Sequence, residues 1–191
     1  MHSFERDDVP RHRERYGPVA VFLHWLLAVA LLGQLVLGWW MVGLPKAPPG
    51  LRAGWFNVHK SIGLSIAAVV LVRLAWRFTH GIAAPDFLPR WQQRAARVNH
   101  ALLYLLMLLI PTSGYLGSAF SGYPVRYFGR VLPAWAASWP AAKTFMSWTH
   151  LTCIILFMAL LLLHVGAALW HWSRRDGVAA RMRLPFAVEG P

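Results

Sequence analysis

Histidine is the main chemical resource of this sequence, with nine residues against a single cysteine, Cys153. One cysteine forms no internal disulfide, no cysteine-ligated iron–sulfur cluster or zinc site, and no C-x-x-C-H haem attachment. His24, His59, His150 and His164 lie within long apolar stretches. An ionisable residue inside such a stretch is costly, so a binding role is the first hypothesis for each.

The spacing of His150 and His164 is the most informative pattern. In a helix, an interval of fourteen residues returns both side chains to one face and separates them by about 21 Å along the axis. His59 is expected at the depth of His150, and His24 at the depth of His164. The sequence therefore predicts two pairs of imidazoles at two depths, directed into a helical bundle.

Two neutral imidazoles on facing helices are an iron-binding arrangement. Without cysteine ligands and in a dry bundle, the best-matched cofactor is a b-type haem, whose apolar faces suit helix packing. We predict two haem b groups, held by His24 with His164 and by His59 with His150. Glycines near these residues would admit a flat macrocycle or serve helix–helix packing: Gly33, Gly63, Gly114, Gly117 and Gly166.

Two further histidines compete for these roles. His100 is expected at the same depth as His24 and His164 and could replace His24 as a ligand. His171 follows His164 by seven residues, nearly in register, but neighbouring Trp170 and Trp172 favour an interface anchor. The remaining histidines look peripheral: His2, His12 and His80.

The elements that must position these residues are four apolar stretches, at about 19–44, 55–78, 98–120 and 147–172, each long enough to cross a bilayer. Of the 191 residues, 57% are apolar and 14% charged, and the apolar share exceeds the roughly 45–50% of soluble domains. We predict an all-α fold, a four-helix transmembrane bundle forming a single membrane domain, with polar tails at 1–15 and 178–191. The first stretch is too long for the core of a signal peptide.

Charge distribution predicts the orientation. Thirteen lysines and arginines lie on the side of the two termini and six on the other, so both termini are expected to be cytoplasmic. All seven carboxylates are predicted on the cytoplasmic side: Glu5, Asp7, Asp8, Glu14, Asp86, Asp176 and Glu189. The basic, acid-free outer surface would attract a small anion, or else anionic lipid or a partner. Nucleic acid is excluded, since no basic run interleaves with stacking aromatics on a polar scaffold.

Arg73 and Arg77 lie one helical turn apart at the inner end of the second stretch. A guanidinium there suits a haem propionate or a quinone carbonyl, although snorkelling to the interface explains it equally simply. Lys60 has the same two interpretations at the outer face. The longest loop, about 121–146, is expected to form a short cap in the outer interface.

At these residues the chain resembles the bacterial cytochrome b561 family over about residues 16–184. Single pieces are weak, but their order and spacing together are fairly specific. The matching pieces are Leu23-His24-Trp25, Val58 to Gly63, Val72-Arg73 to Arg77, His100 to Tyr104, Leu109-Ile110-Pro111, Trp148 with His150, Leu163-His164, and the exit from Trp170 to Arg183.

The resemblance implies a bacterial inner-membrane cytochrome whose fourth helix supplies one ligand to each of two haems. It assigns His24 and His164 to the cytoplasmic haem, and His59 and His150 to the outer one. Members that act as superoxide oxidases pass electrons from superoxide to ubiquinone. Related membrane subunits of hydrogenases and formate dehydrogenases give an alternative, an anchor and electron relay with a partner subunit. A third hypothesis is a haem-free bundle whose histidines bind another metal or none.

Overall fold

All four apolar stretches are helices in the computed structural model, which describes residues 15–46, 50–81 and 87–183. Each is long and apolar enough to cross a membrane. The all-α, four-helix prediction is therefore confirmed. In chain order the helices are α1 Pro18–Val42, α2 Leu51–Thr79, α3 Arg90–Ala119 and α4 Pro140–Arg174.

Local chemistry explains the helix boundaries. Pro18 and Pro140 stand in the first turns of α1 and α4, where a missing N–H costs nothing. After α4, Arg175 and Gly177 adopt positive φ angles of 52° and 88° and stop the helix. The helix α3 begins at Arg90, before the predicted span, because its first turns are polar and only the later turns are apolar.

The helices pack in sequence order around a small core. The closely packed pairs are α3–α4, α1–α2 and α2–α3, whereas α1 and α4 do not form such a pair within the described residues. Many apolar side chains face outwards, and Val29 and Leu162 are each 69% exposed. Such a surface suits lipid rather than water. The core consists of Leu27, Ile66, Val70, Leu103, Leu106, Met107, Cys153 and Phe157.

The connection between α3 and α4 contains a small antiparallel hairpin, β1 Arg126–Tyr127 and β2 Arg130–Val131. Its turn residues Phe128 and Gly129 both have positive φ, as a two-residue type I′ turn requires. The hairpin lies against α2. The cap predicted at about 121–146 is therefore a folded hairpin that packs against α2. It is shorter than predicted, because α4 already begins at Pro140.

Ser61 of α2 anchors this hairpin. Its hydroxyl is fully buried, donates to the Asn57 carbonyl at 2.8 Å and accepts the Phe128 N–H at 2.8 Å. Nearby, the hydroxyls of Ser65 and Tyr127 hydrogen-bond at 3.0 Å. The outer loop is therefore fixed to α2 by side-chain contacts as well as by backbone packing.

We expect Ser61→Ala to lower the free energy of unfolding by about 1–3 kcal/mol, because it leaves the Phe128 N–H without its acceptor. Thermal unfolding in detergent and hydrogen exchange at Phe128 measure the loss. The matched control is Ser147→Ala, since Ser147 is exposed and bonds only to Lys143 of its own helix. An equal effect of the two substitutions would contradict the anchoring role.

The start of α1 and the segment after α4 meet at one end of the bundle. The Tyr16 N–H donates to the Arg181 carbonyl at 3.3 Å, and the Trp25 indole donates to the Met182 carbonyl at 3.0 Å. Met182 ends a short 3-10 helix, Ala179–Met182. We call this the inner end and the opposite one the outer end. Most of the two predicted tails, 1–14 and 184–191, lies outside the described residues.

Candidate cofactor-binding site

Three imidazoles meet near the inner end of the bundle, one each from α1, α3 and α4. The ring centroid of His164 lies 6.1 Å from that of His24 and 5.3 Å from that of His100. All three side chains are half-buried. The structure thus brings the predicted pair His24 and His164 together and places the competitor His100 beside them.

The two separations favour His24 over His100 as the metal-binding partner of His164. Two imidazoles on opposite sides of one metal ion have centroids roughly 6 Å apart, because each metal–nitrogen bond is about 2 Å and each centroid lies about 1 Å behind its nitrogen. The 6.1 Å between His24 and His164 matches this requirement. The 5.3 Å between His100 and His164 is shorter than this requirement, although both ring pairs are edge-to-face.

His150 lies near the outer end of α4 in a pocket made by α3. Its Nδ1 is 2.7 Å from the Ile110 carbonyl oxygen. A carbonyl only accepts, so Nδ1 carries the proton and Nε2 is left as the nitrogen available for a metal. A Cβ on Gly114 would lie 3.1–3.2 Å from this ring. The absence of a Cβ at this position gives the ring room to approach the Ile110 carbonyl.

His59 of α2 lies within electrostatic range of His150, at the same end of the bundle. Its ring packs against α1, where a Cβ on Gly38 would lie 3.1 Å from Cε1. Its Nδ1 is buried and has no hydrogen-bond partner. Buried ring nitrogens are nearly always hydrogen-bonded, so the unpartnered Nδ1 sets His59 apart from a satisfied core histidine.

The two arginines predicted at the inner end differ in exposure. The guanidinium groups of Arg73 and Arg77 each lie 5.8 Å from the centroid of the Tyr104 ring. Arg73 is half-buried and within electrostatic range of His24, His100 and His164, whereas Arg77 is exposed. Arg73 already hydrogen-bonds the Tyr104 side chain, and its half-buried position beside the histidines makes it the better placed of the two to contact a group bound there.

His171 is engaged elsewhere. Its Nδ1 contacts the Asp176 carboxylate at 2.5 Å, just beyond the end of α4, and its ring lies edge-on to Trp170. The aspartate also accepts the Val178 N–H at 3.0 Å. This histidine therefore holds the turn that follows α4, and the structure does not bring it to the imidazole pairs.

The glycines near the histidines have separate surroundings. Gly114 contacts His150, Gly63 faces Gln34, and Gly117 lies against Met146 in ordinary helix packing, whereas a Cβ on Gly33 or Gly166 would meet no atom within 4 Å. Sequence reasoning missed Gly38. The sequence indicates Gly38 only indirectly. Because α1 and α2 are consecutive and antiparallel, the end of α1 lies beside the start of α2.

Comparison with known proteins identifies the group to which this architecture belongs. Residues 15–184 match the family described as prokaryotic cytochrome b561. The chain belongs to the prokaryotic cytochrome b561 family. Family membership implies haem b as prosthetic group and makes this chain an integral membrane protein with an electron-transfer role.

Individual relatives cover most of the chain. It is 34% identical over 178 residues to cytochrome b561 homolog 2 of Escherichia coli, covering 88% of this chain and 91% of the relative. It is 25% identical to cytochrome b561 homolog 1 of the same organism, over 88% and 96% of the two chains. A probable superoxide oxidase, CybB of Yersinia pestis, is 22% identical over 88% and 96%.

The described residues fit haem b better than a bare metal ion. No group of three or more His, Cys, Asp or Glu able to hold a metal occurs in the described part of the chain. A haem needs only two protein ligands, because the macrocycle supplies the others. The imidazole pair His24 and His164, and the glycines that leave room for the rings of His59 and His150, agree with that requirement.

Proposed function

We propose that this chain is a dihaem b-type cytochrome of the bacterial inner membrane that passes electrons from an outer-face donor to ubiquinone. The observation that carries the proposal is the 6.1 Å separation of His24 and His164. This separation supports His24 and His164 as two ligands of one haem iron, and His150 on the same helix lies within electrostatic range of His59. Helix α4 would thus contribute one ligand at each of two depths.

In this proposal, His24 and His164 hold the inner haem, and His59 and His150 hold the outer one. The haems supply one-electron redox chemistry, and the protein supplies ligands, orientation and exclusion of water. The Ile110 carbonyl holds the ring of His150 in the required tautomer. We assign His100 a packing role against His164.

Arg73 and Arg77 supply positive charge at the inner end of the bundle. We assign Arg73 to a haem propionate or a quinone carbonyl, since its half-buried guanidinium lies close to the three inner histidines. Arg77, exposed beside Tyr104, contributes from the edge of the same cluster. Both residues would raise the affinity of the inner end for an anionic or carbonyl group.

The outer end is basic, which supports an anionic donor. The hairpin carries Arg126 and Arg130 onto α2, whose outer turns carry Arg52 and Lys60. Asp176 is the sole carboxylate side chain within residues 15–46, 50–81 and 87–183, and it lies at the inner end; the other six carboxylates fall outside the described residues. The positive-inside rule assigns the inner end and both termini to the cytoplasm.

Superoxide is the donor that we propose, because it is a small anion and a relative is named as a probable superoxide oxidase. Two superoxide anions would lose one electron each and leave as dioxygen. Ubiquinone would take up these two electrons and two protons to form ubiquinol. Basic residues at the outer end would raise the local concentration of the donor.

Stopped-flow mixing of superoxide with the quinone-free protein and added ubiquinone tests the donor. We expect superoxide loss well above the spontaneous rate, with ubiquinol formed at half the amount of superoxide consumed. Catalysed loss that does not depend on ubiquinone, or no loss above the spontaneous rate, would contradict the assignment. Purification of the chain with a catalytic or iron–sulfur subunit would instead favour the anchor-and-relay function.

Neutralising the hairpin arginines should slow this reaction. We expect Arg126→Gln with Arg130→Gln to lower the second-order rate at low ionic strength several-fold and to flatten its salt dependence, since exposed charges act through a screened field. The matched control, Arg90→Gln with Arg94→Gln, removes the same charge from the inner end of α3. Identical salt profiles for both double variants would rule out steering by the hairpin.

A further inference from the structure

Gln34 of α1 and His59 of α2 form a reciprocal contact between antiparallel helices. The Gln34 amide nitrogen donates to the His59 backbone carbonyl at 2.6 Å. Each side chain also packs against a glycine of the opposite helix. The His59 ring faces Gly38, four residues after Gln34. The Gln34 amide faces Gly63, four residues after His59, where a Cβ would lie 3.3 Å from the amide nitrogen. A Cβ at either glycine would crowd the side chain opposite, so the arrangement is built by all four residues.

The contact leaves two complementary polar atoms without partners. Because the His59 carbonyl can only accept, the nitrogen of the Gln34 amide must face it, and the oxygen must point away. That oxygen, Oε1, is buried and makes no hydrogen bond, and neither does the buried Nδ1 of His59. The other two such atoms among the described residues, on Gln92 and Asn99, lie in the inner half of α3.

A buried acceptor and a buried donor on two residues already in contact are best explained by each other. Gln34 Oε1 can accept a hydrogen bond, and a neutral imidazole carries its proton on Nδ1 when Nε2 is used as a ligand. The other outer imidazole has such a partner, since His150 Nδ1 donates to the Ile110 carbonyl. His59 lacks a backbone equivalent, and the Gln34 amide is the group placed to supply it.

We propose that Gln34 is a positioning residue for His59: its Oε1 accepts a hydrogen bond from the Nδ1–H of the imidazole, directly after a small ring rotation or through one bridging water. This inference rests on the proposed function, in which His59 is an axial ligand of the outer haem. The hydrogen bond fixes the tautomer that frees Nε2. It also sets the electron-donating strength of the imidazole, because a stronger acceptor at Nδ1 makes the ligand more basic.

Redox titration of the two haems in Gln34 variants tests this role. Gln34→Met keeps the length of the side chain but removes the acceptor, so the midpoint potential of the outer haem should rise. Gln34→Glu provides a stronger acceptor, which favours the ferric state and should lower that potential. The inner haem should keep its potential in both variants, and His59→Ala identifies the outer haem as the one that is lost.

Gln93→Met is the matched control, since the Gln93 amide donates to the Leu88 carbonyl at the start of α3, away from both pairs. It should shift neither potential. Shifts of the same sign in the methionine and glutamate variants, or no shift in either, would overturn the role of Gln34. If Gln34→Met does not bind the outer haem, the test depends on Gln34→Glu alone. An unchanged midpoint potential of the outer haem in that variant would overturn the role of Gln34. Retention of both haems in His59→Ala would instead refute the ligand assignment of the proposed function.

Discussion

Replacing His164 with alanine is expected to reduce the haem content from two per chain to one. The imidazole of His164 is the α4 member of the inner pair and lies 6.1 Å from His24. A methyl group cannot ligate iron, and one remaining imidazole does not hold a haem in the low-spin bis-imidazole state. The outer pair, about 21 Å away along α4, should keep its haem. Pyridine haemochrome analysis against protein concentration measures the ratio.

His100→Ala is the control for this prediction. His100 contacts the same ring more closely, at 5.3 Å, so a purely structural disturbance of His164 would follow from its removal too. We expect the His100 variant to keep two haems and the His24→Ala variant to lose one. If His100→Ala loses a haem and His24→Ala retains two, then His100 is the ligand and His24 is the packing residue.

Gly114→Val is expected to displace the outer haem while leaving the inner haem and the helices in place. Even a single Cβ at this position would lie 3.1–3.2 Å from Cε1 and Nδ1 of His150, and valine adds two methyl groups. The ring would be forced away from the Ile110 carbonyl that holds it at 2.7 Å. Haem content should fall from two per chain toward one, with the helical circular dichroism unchanged.

The comparison variant is Gly54→Val, because a Cβ on Gly54 would meet no atom within 4 Å. Both substitutions introduce the same β-branched residue into a helix, so any cost of helix propensity is shared. The Gly54 variant should keep two haems. Equal haem loss in both variants, or none in the Gly114 variant, would mean that Gly114 does not shape the His150 pocket.

The sequence predicted the four helices because their signal is strong and local. Long apolar stretches bounded by proline and glycine leave few other structures. The fourteen-residue interval likewise placed His150 and His164 on one face, since helical periodicity alone determines it. The helix ends were less accurate: the polar first turns of α3, from Arg90, continue the helix beyond the apolar part.

Features that depend on contacts between helices were not predictable. His24 and His100 occupy the same depth, and only the rotation of α1 and α3 about their axes decides which ring lies 6.1 Å from His164. The same holds for Gly38, whose neighbour His59 is on another helix. The hairpin gave no signal because its strands have two residues each, too few for an alternating pattern.

The haem content of the purified protein tests the central claim most directly. Reduced-minus-oxidised visible spectra of the detergent-solubilised chain, expressed with sufficient haem supply, give both the haem type and the haem-to-protein ratio. We expect a b-type spectrum and two haems per chain. A ratio near zero would contradict any haem-binding function, and a fully loaded ratio of one would contradict the two-site arrangement along α4.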